Sequence, residues 1–230
     1  MTLPDAPRIA TALREAASDF YFNSWRMVPA NVIWGLLLLA VTAFGFLWLP
    51  AVLLSSLLAL PVAGMHRMAV LLQRGQPISF SDFLGGMRAF ALPAIGLGVI
   101  AVLLAIVFTA NVFIGLDTGG VLGWSFSALA LYADVGLAML FVAIWPILVD
   151  PLRRGVSVRA RLRLAALVIL ARPARMFALT VVIATLLLIA TALFIALLTI
   201  AVAFVSLVAT RYVIPAADRL EGRRTKVFVQ

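Results

Sequence analysis

The chain alternates long apolar runs with short polar segments. Each of the first four runs holds about 20 residues or more, the length that a helix needs to cross roughly 30 Å of hydrocarbon. Asp150-Pro151 ends the fourth run, because proline disfavours a helical conformation at the residue before it. The pattern therefore predicts four membrane-spanning helices, over Val28–Phe46, Pro50–Leu72, Leu92–Ile114 and Trp124–Val149.

Turn formers and aromatic residues refine the ends of these helices. Gly45 and Pro50 predict a tight turn between the first two spans, and the glycine-rich residues 115–120 predict a loop between the third and fourth. Trp124 and Trp145 are expected at the two membrane interfaces, where tryptophan is enriched. Pro61 and Gly64 interrupt the second span, so a kink or local unwinding is expected there.

The last apolar run, Met176–Tyr212, is too long for one span. As a straight helix its 37 residues would measure about 55 Å, nearly twice the hydrocarbon thickness. Two short spans with a turn near Thr191–Ala196 would return the basic C-terminal segment to the side of the membrane where this run starts. The chain is therefore predicted to contain six spans.

A polar segment with one apolar helical face precedes each predicted pair of spans. In the second of these segments, Ser81 is expected to cap a short helix. An amphipathic helix followed by a hairpin, repeated three times, is one interpretation, and ordinary basic linkers are the alternative. The segments are Asp5–Phe22, Ser79–Phe90 and Ser157–Arg172. The predicted fold class is an all-α polytopic membrane protein, with a six-span domain at 28–214 between an amphipathic segment at 1–27 and a basic tail at 215–230.

Basic residues occur at alternate connections only. The eighteen Lys and Arg residues fall into four groups, and the connections between these groups hold none. Because basic loops stay in the cytoplasm, both termini are predicted to be cytoplasmic, in a bacterial plasma membrane. The composition is 65% hydrophobic, so the net charge of +9 is assigned to this topology and to anionic lipid, and nucleic acid is not expected as a partner.

Asp134 is the one acidic residue that falls clearly within a predicted span. A carboxylate near the centre of a membrane costs about 2.5–3.5 kcal/mol, so it is expected to face protein or water. With Tyr132 and Asn111 it forms a candidate intramembrane polar site. It is interpreted either as a proton or cation site or as a neutral acid that donates to a neighbouring oxygen.

A second candidate site lies near the inner end of the second span, at Pro61, Gly64, His66 and Arg67. His66 is the single histidine, and one imidazole without a carboxylate pattern does not make a metal site. Packing or headgroup contact is its expected use. Neither a metal nor a cofactor is predicted, and the chain contains no cysteine.

The basic segments also predict contacts with anionic headgroups. The candidate residues flank the spans or line the amphipathic segments, and they are Arg26, Arg88, Arg159, Arg163, Arg172 and Arg175.

Enzyme motifs are not supported by the spacing of reactive residues. Residues 123–127 (GWSFS) lack the second glycine of a serine hydrolase motif, and Ser125 and His66 are expected at opposite membrane faces. Phosphate-binding and dinucleotide-binding spacings do not occur. The chain is therefore not predicted to be an enzyme.

Several short motifs resemble the YesL-like bacterial membrane proteins (domain of unknown function 624). They are residues 60–65 (LPVAGM), 72–77 (LQRGQP), 80–84 (FSDFL), Met87-Arg88 and, later, Asp150-Pro151 with residues 156–160 (VSVRA). The segment between the fourth and fifth spans is richer in arginine than the family pattern. The resemblance implies a six-span inner-membrane protein that is often encoded near carbohydrate-uptake components, and it supplies no catalytic residues.

These observations lead to three functional hypotheses. The first is a non-enzymatic accessory or assembly factor for transport, with carbohydrate uptake as the process that the resemblance implies, and with transporter subunits or a second copy as partners. The second is a small channel or a proton- or cation-linked carrier that uses Asp134. The third is a lipid-binding or lipid-modifying membrane protein.

Overall fold

The computed structural model describes residues 8–222, and these form helices joined by short turns, without any strand. Six helical segments are long and apolar enough to cross a membrane, as predicted. The start of the amphipathic segment Asp5–Phe22 and the basic residues Arg223, Arg224 and Lys226 lie outside the described residues. The six segments are Ile9–Leu47, Val52–Gln73, Ala91–Thr118, Gly120–Val149, Pro173–Ala192 and Phe194–Leu220.

Nine α-helices occur in the described part of the chain, with a 3₁₀ helix before the second and after the fifth, and a π-helical turn before the ninth. They are α1 (Ile9–Leu47), α2 (Ala59–Gln73), α3 (Phe80–Ala89), α4 (Ala91–Thr118), α5 (Gly120–Val149), α6 (Val158–Ala171), α7 (Pro173–Ala192), α8 (Phe194–Ala196) and α9 (Val202–Leu220).

The first amphipathic segment and the first span form one helix. Helix α1 has 39 residues and no break at residue 27, so it is about 58 Å long and extends well beyond a hydrocarbon core. The other two amphipathic segments are separate helices, α3 and α6. In the first of the three predicted repeat units the amphipathic helix is therefore continuous with the span, whereas in the other two it is a separate helix.

The second span changes helix type before Pro61. Residues Leu49–Leu58 form a 3₁₀ helix, and α2 then continues unbroken past Pro61 and Gly64. Pro61 lies in the first turn of α2, where proline is tolerated. The unwinding thus lies on the N-terminal side of the predicted position. Gly64 has a different role, because a Cβ there would lie 2.6 Å from Cδ2 of Phe83 and would push α3 away.

Helix α3 begins after Ser79, and the predicted cap Ser81 lies inside it. The backbone N–H of Ser79 donates to Oδ2 of Asp82 at 2.8 Å, and the Ser79 hydroxyl donates to the same oxygen at 2.7 Å. A carboxylate three residues after Ser79 satisfies a donor at the helix start, which is why the helix begins here and not two residues later.

A single residue, Gly119, separates α4 from α5 in place of the predicted loop over 115–120. Gly119 and Gly120 have φ values of 66° and 65°, which residues with a Cβ rarely adopt. The two helices touch near this turn, where the Ser127 hydroxyl donates to the Val112 carbonyl oxygen at 2.8 Å. Continuing both helices to the turn leaves few peptide groups unpaired, as a lipid environment requires.

The last apolar run breaks at Leu193, inside the predicted interval Thr191–Ala196. Residues Leu197–Ala201 then form a π-helical turn before α9. The Asn31 amide of α1 spans this irregularity, since it donates to the Leu197 carbonyl oxygen at 3.0 Å and accepts from the Ala203 N–H at 2.8 Å. The buried amide therefore satisfies backbone groups that the change of helix type leaves unpaired.

The buried core is concentrated where α2, α9 and the last third of α5 meet. Residues 143–149 of α5 are all buried, whereas the buried residues of α4 are Ala94, Leu97, Gly98 and Gly115. Trp145, predicted near a membrane interface, is only 6% exposed and packs between Phe141 and His66.

Candidate functional site

Five charged side chains form a buried network at the end of the bundle where α2, α5 and α9 finish. The Arg74 guanidinium donates to Oδ2 of Asp150 and Oδ2 of Asp218, both at 2.6 Å. Arg153 also donates to both aspartates, at 2.8 Å to Oδ1 of Asp218, and it donates to Oε2 of Glu221 at 2.7 Å. We refer to Arg74, Asp150, Arg153, Asp218 and Glu221 as the charge network, and to this end of the bundle as the charged end.

The local sequence explains how these side chains meet. Pro151 stops α5, so Asp150 takes an extended conformation and its side chain accepts from the Leu152 N–H. The short 3₁₀ helix that follows turns Arg153 back towards Asp150. Arg74 is the C-cap residue of α2, and Asp218 lies in the last turn of α9. Three helix ends are therefore fastened by side chains that are distant in sequence.

Two further arginines bind the last carbonyl groups of α5. Nη1 of Arg67 donates to the Val149 oxygen at 3.0 Å, and Arg161 of α6 donates to the Leu148 oxygen. Arg161 also donates to the Arg153 oxygen at 2.7 Å. The last carbonyls of a helix lack intrahelical donors and carry partial negative charge, so cations are favoured there.

Four of the five side chains of the charge network are almost closed to solvent, and that of Glu221 is 27% exposed. The side chains of Asp150, Arg153 and Asp218 are at most 1% exposed, and that of Arg74 is 11% exposed. Burial alone would lower the pKa of the Arg74 guanidinium, but its hydrogen bonds to Asp218 and Asp150 raise this pKa above the ordinary value. Arg74 therefore stays charged at every accessible pH. Removing one partner from such a buried group typically costs about 3–5 kcal/mol.

A smaller ion pair joins α1 to α9. Nε of Arg211 donates to Oδ2 of Asp19 at 2.7 Å, and Nη1 lies 3.5 Å from Oε2 of Glu15. At the next residue of α1, the ring of Phe20 meets that of Phe204 edge to face at 6.1 Å. The first half of α1 therefore packs along α9 through polar and aromatic contacts.

The candidate site of the second span is divided by the structure. His66 is buried, with Nδ1 3.0 Å from the Val62 oxygen and 3.2 Å from Oγ of Ser206. Arg67 points to the end of α5. Gly64 contacts Phe83 of α3, and Pro61 lies in the first turn of α2. Gly64 and Arg67 thus share a packing contact with α3, whereas His66 faces α9.

Of the intramembrane candidates, Tyr132 is separated from Asp134. Oγ1 of Thr109 donates to Oδ2 of Asp134 at 3.3 Å, across α4 and α5, and Asp134 is half-buried. Tyr132 is 76% exposed on another face of α5. Asn111 lies on α4, half-buried. Asp134 therefore has a hydroxyl neighbour, and Tyr132 does not share its surroundings.

The predicted lipid-contact arginines lie in different environments. Arg88, Arg159, Arg163 and Arg175 are exposed. The guanidinium of Arg26 stacks on Trp25, with its central carbon 4.2 Å from the ring centroid, as in a cation–π pair at a membrane interface.

The charge network was not predicted from the sequence. Asp150 was recognised only as a helix terminator, and Asp218 and Glu221 were not singled out. One signal was present in the sequence. Asp218 and Glu221 flank Arg219 in the basic C-terminal segment, and the topology rule explains the arginines of this segment but not its acidic residues. Their pairing partners are 65 to 144 residues away, and no local pattern connects them.

Among residues 8–222, no group of three or more His, Asp or Glu side chains is arranged to hold a metal ion. No known family model, curated protein or solved structure matches the chain. The resemblance of its short motifs to the YesL-like family therefore stays a prediction. The fold and the apolar helices define an integral membrane protein with six candidate spans.

Proposed function

We propose that the chain is a non-enzymatic integral membrane protein that acts as an accessory or assembly factor for transport. The observation that carries this proposal is the use of its buried polar side chains. The charge network, the Asn31 bridge and the His66–Ser206 pair all bind groups of the same chain. Side chains that are occupied in this way hold helices together, and they are not available to a substrate.

The surface offers a second support. Helix α4 presents large exposed apolar side chains over most of its length, and α5 does so over its first half, as at Leu92 (85%), Val121 (84%) and Leu122 (87%). Exposed apolar side chains suit lipid, and they equally suit the lateral face of another membrane protein. Carbohydrate uptake as the assisted process rests on the motif resemblance alone.

A deletion and reconstitution experiment tests the accessory role. Cells that lack the chain should lose uptake of a carbohydrate together with membrane-inserted subunits of its transporter, and re-expression should restore both. Liposomes with the purified chain alone should carry no flux of that carbohydrate. Normal uptake and normal subunit levels in deleted cells, across carbohydrates that support growth, would contradict the proposal.

The proposed topology places the charged end in the cytoplasm of a bacterial plasma membrane, with three outward hairpins and both termini inside. The alternation of basic connections supports this orientation. Thr118→Cys, next to the α4–α5 turn, should react in intact cells with an impermeant thiol reagent. Ser157→Cys, at the start of α6, should react only after lysis. Labelling in the opposite sense would reverse the orientation.

The second candidate function is a proton- or cation-linked carrier, and one observation favours it. Asp134 lies near the middle of α5, about 20 Å from either end of the helix, and Thr109 is its hydrogen-bonding neighbour. If Asp134 binds the coupling ion, liposomes should show a pH- or ion-dependent flux that Asp134→Asn abolishes. An equal flux, or none, in both proteins would leave the accessory role as the better proposal.

A further inference from the structure

A groove of about 790 Å³ lies between α5 and α6 at the charged end. Leu140, Leu162 and Ala166 form its apolar wall, and Ser157, Arg159 and Arg163 form its polar side. Leu140 lies nine residues before the end of α5, which is about 14 Å along the helix. The groove therefore runs from the polar margin of the bundle into the depth of the span.

The two arginines of the groove are exposed, and neither has an ion pair with any residue from 8 to 222. They are four positions apart in the chain, so both guanidinium groups project from one face of α6. Arg161, between them in sequence, points the other way and is used by the end of α5 and by Arg153. Helix α6 thus divides its arginines between an internal contact and an unoccupied outer face.

From this arrangement we propose that the groove binds one anionic phospholipid of the adjoining leaflet. The phosphodiester would lie between Arg159 and Arg163, because guanidinium groups match phosphate oxygens in charge and hydrogen-bonding geometry. An acyl chain would follow the apolar wall towards Leu140. A soluble phosphate compound could use the arginines but would gain nothing from that wall.

Other basic residues of this end are less suited to such a site. Arg26 stacks on Trp25, and Arg172 and Arg175 already interact with other parts of the chain. General attraction of basic loops to an anionic surface would involve all exposed arginines alike. The groove differs because it joins two unpaired guanidinium groups to an apolar wall that continues into the span.

Native mass spectrometry of the purified, delipidated full chain tests the proposal. Phosphatidylglycerol should add with a single saturable stoichiometry, phosphatidylcholine should bind much more weakly, and inorganic phosphate should not compete at matched concentration. Arg159→Gln/Arg163→Gln should weaken phosphatidylglycerol binding about 30-fold, since each arginine near an anionic lipid surface contributes roughly fivefold.

Two control variants separate the groove from net charge. Arg14→Gln/Arg154→Gln removes the same charge from exposed positions outside the groove and should leave binding unchanged within about twofold. Ala166→Trp keeps both arginines and fills the groove, so it should weaken binding as the double glutamine variant does. Thermal unfolding of each variant verifies that it is folded.

Equal losses in the two double variants would overturn the proposal in favour of general electrostatics. Undiminished binding in Arg159→Gln/Arg163→Gln would also overturn it. Should that variant fail to fold, a photoactivatable phosphatidylglycerol on the wild-type protein gives the answer. Crosslinks must concentrate in peptides that contain Leu140 or residues 157–166, and crosslinks confined to other helices would refute the site.

Discussion

The charged end and the α4–α5 hairpin hold their helices together in different ways. At the charged end, residues 143–149 of α5 are all buried. Arg74 and Arg153 bind Asp150 and Asp218, and these residues come from the ends of three helices. In the hairpin, α4 buries few side chains, and it packs along α5 through a tight turn, a close approach of Gly115 to Gly123, and two side-chain hydrogen bonds, at Ser127 and Asp134. The same chain therefore contains a junction held by buried ion pairs and a hairpin held by close contact between two helices at small residues.

The difference shows what gives a membrane protein a unique structure. Lipid is as apolar as leucine, so an apolar side chain gains little by leaving lipid for another helix. Close contacts at glycine and paired polar groups must then decide which helices pack together. Glycine contacts occur in both regions, where Gly64 meets Phe83 and Gly115 meets Gly123, and the charged end adds the buried ion pairs of the charge network. This reasoning ranks four substitutions by their expected effects.

Arg153→Met should have the largest effect. The methionine keeps much of the side-chain volume but leaves Asp150, Asp218 and Glu221 with one cation fewer in a buried site. We expect a loss of about 3–5 kcal/mol in the free energy of unfolding. Reversible unfolding in mixed micelles measures it. The control is Arg154→Met, the exposed neighbour, which should change stability by less than about 0.5 kcal/mol. Equal effects of the two variants would show that the charge network does not fasten the charged end.

Asn31→Leu should have the second-largest effect. Its amide accepts from the buried Ala203 N–H and donates to the half-buried Leu197 oxygen, and leucine would remove both hydrogen bonds. The expected cost is about 2–3 kcal/mol, because an unsatisfied buried polar group typically costs about 1–3 kcal/mol. Hydrogen exchange should also speed up around the π-helical turn Leu197–Ala201. The matched substitution Asn111→Leu, on the hairpin, should be close to neutral. Unchanged exchange in the Asn31 variant would disprove the bridging role.

Gly86→Ala follows, at about 1–2 kcal/mol. An added Cβ would lie 2.8 Å from Cβ of Arg67 and 3.1 Å from Cα of Gly64, so α3 must shift away from α2. Its neighbour Gly85 has no atom within 4 Å of such a Cβ, so Gly85→Ala should be neutral or slightly stabilising, since alanine favours helix. Thermal unfolding of the pair in one detergent compares them directly. If both alanines stabilise the protein, close approach of α2 and α3 is not required.

The sequence predicted those parts of the fold that depend on the local pattern of apolar and polar residues. Span length and the excess length of Met176–Tyr212 gave six helices and the break near Leu193. Boundaries controlled by one hydrogen bond or one glycine were misplaced, as at Ser81, where the cap is Ser79, and at 115–120, where the turn is Gly119. The charge network was missed because its partners come from distant segments. The burial of Trp145 was also not predicted, because hydropathy does not distinguish a tryptophan that faces lipid from one packed against a buried histidine.

Asp134→Leu should have the smallest effect on stability, although Asp134 is the acid that the sequence made most conspicuous. Its partner in the hairpin is the exposed Thr109 hydroxyl, at the long distance of 3.3 Å. Without Asp134, that hydroxyl still reaches a backbone carbonyl of its own helix, a common bond for threonine in apolar helices. We therefore expect a change below about 1 kcal/mol, within the net worth of one ordinary hydrogen bond. Thr109→Val should change the free energy of unfolding by a similar amount. The double variant should lose about as much stability as either single variant, because both substitutions remove the same hydrogen bond. A loss of several kcal/mol in Asp134→Leu, comparable with Arg153→Met, would show that the hairpin is fastened by its acid as firmly as the charged end is by its network.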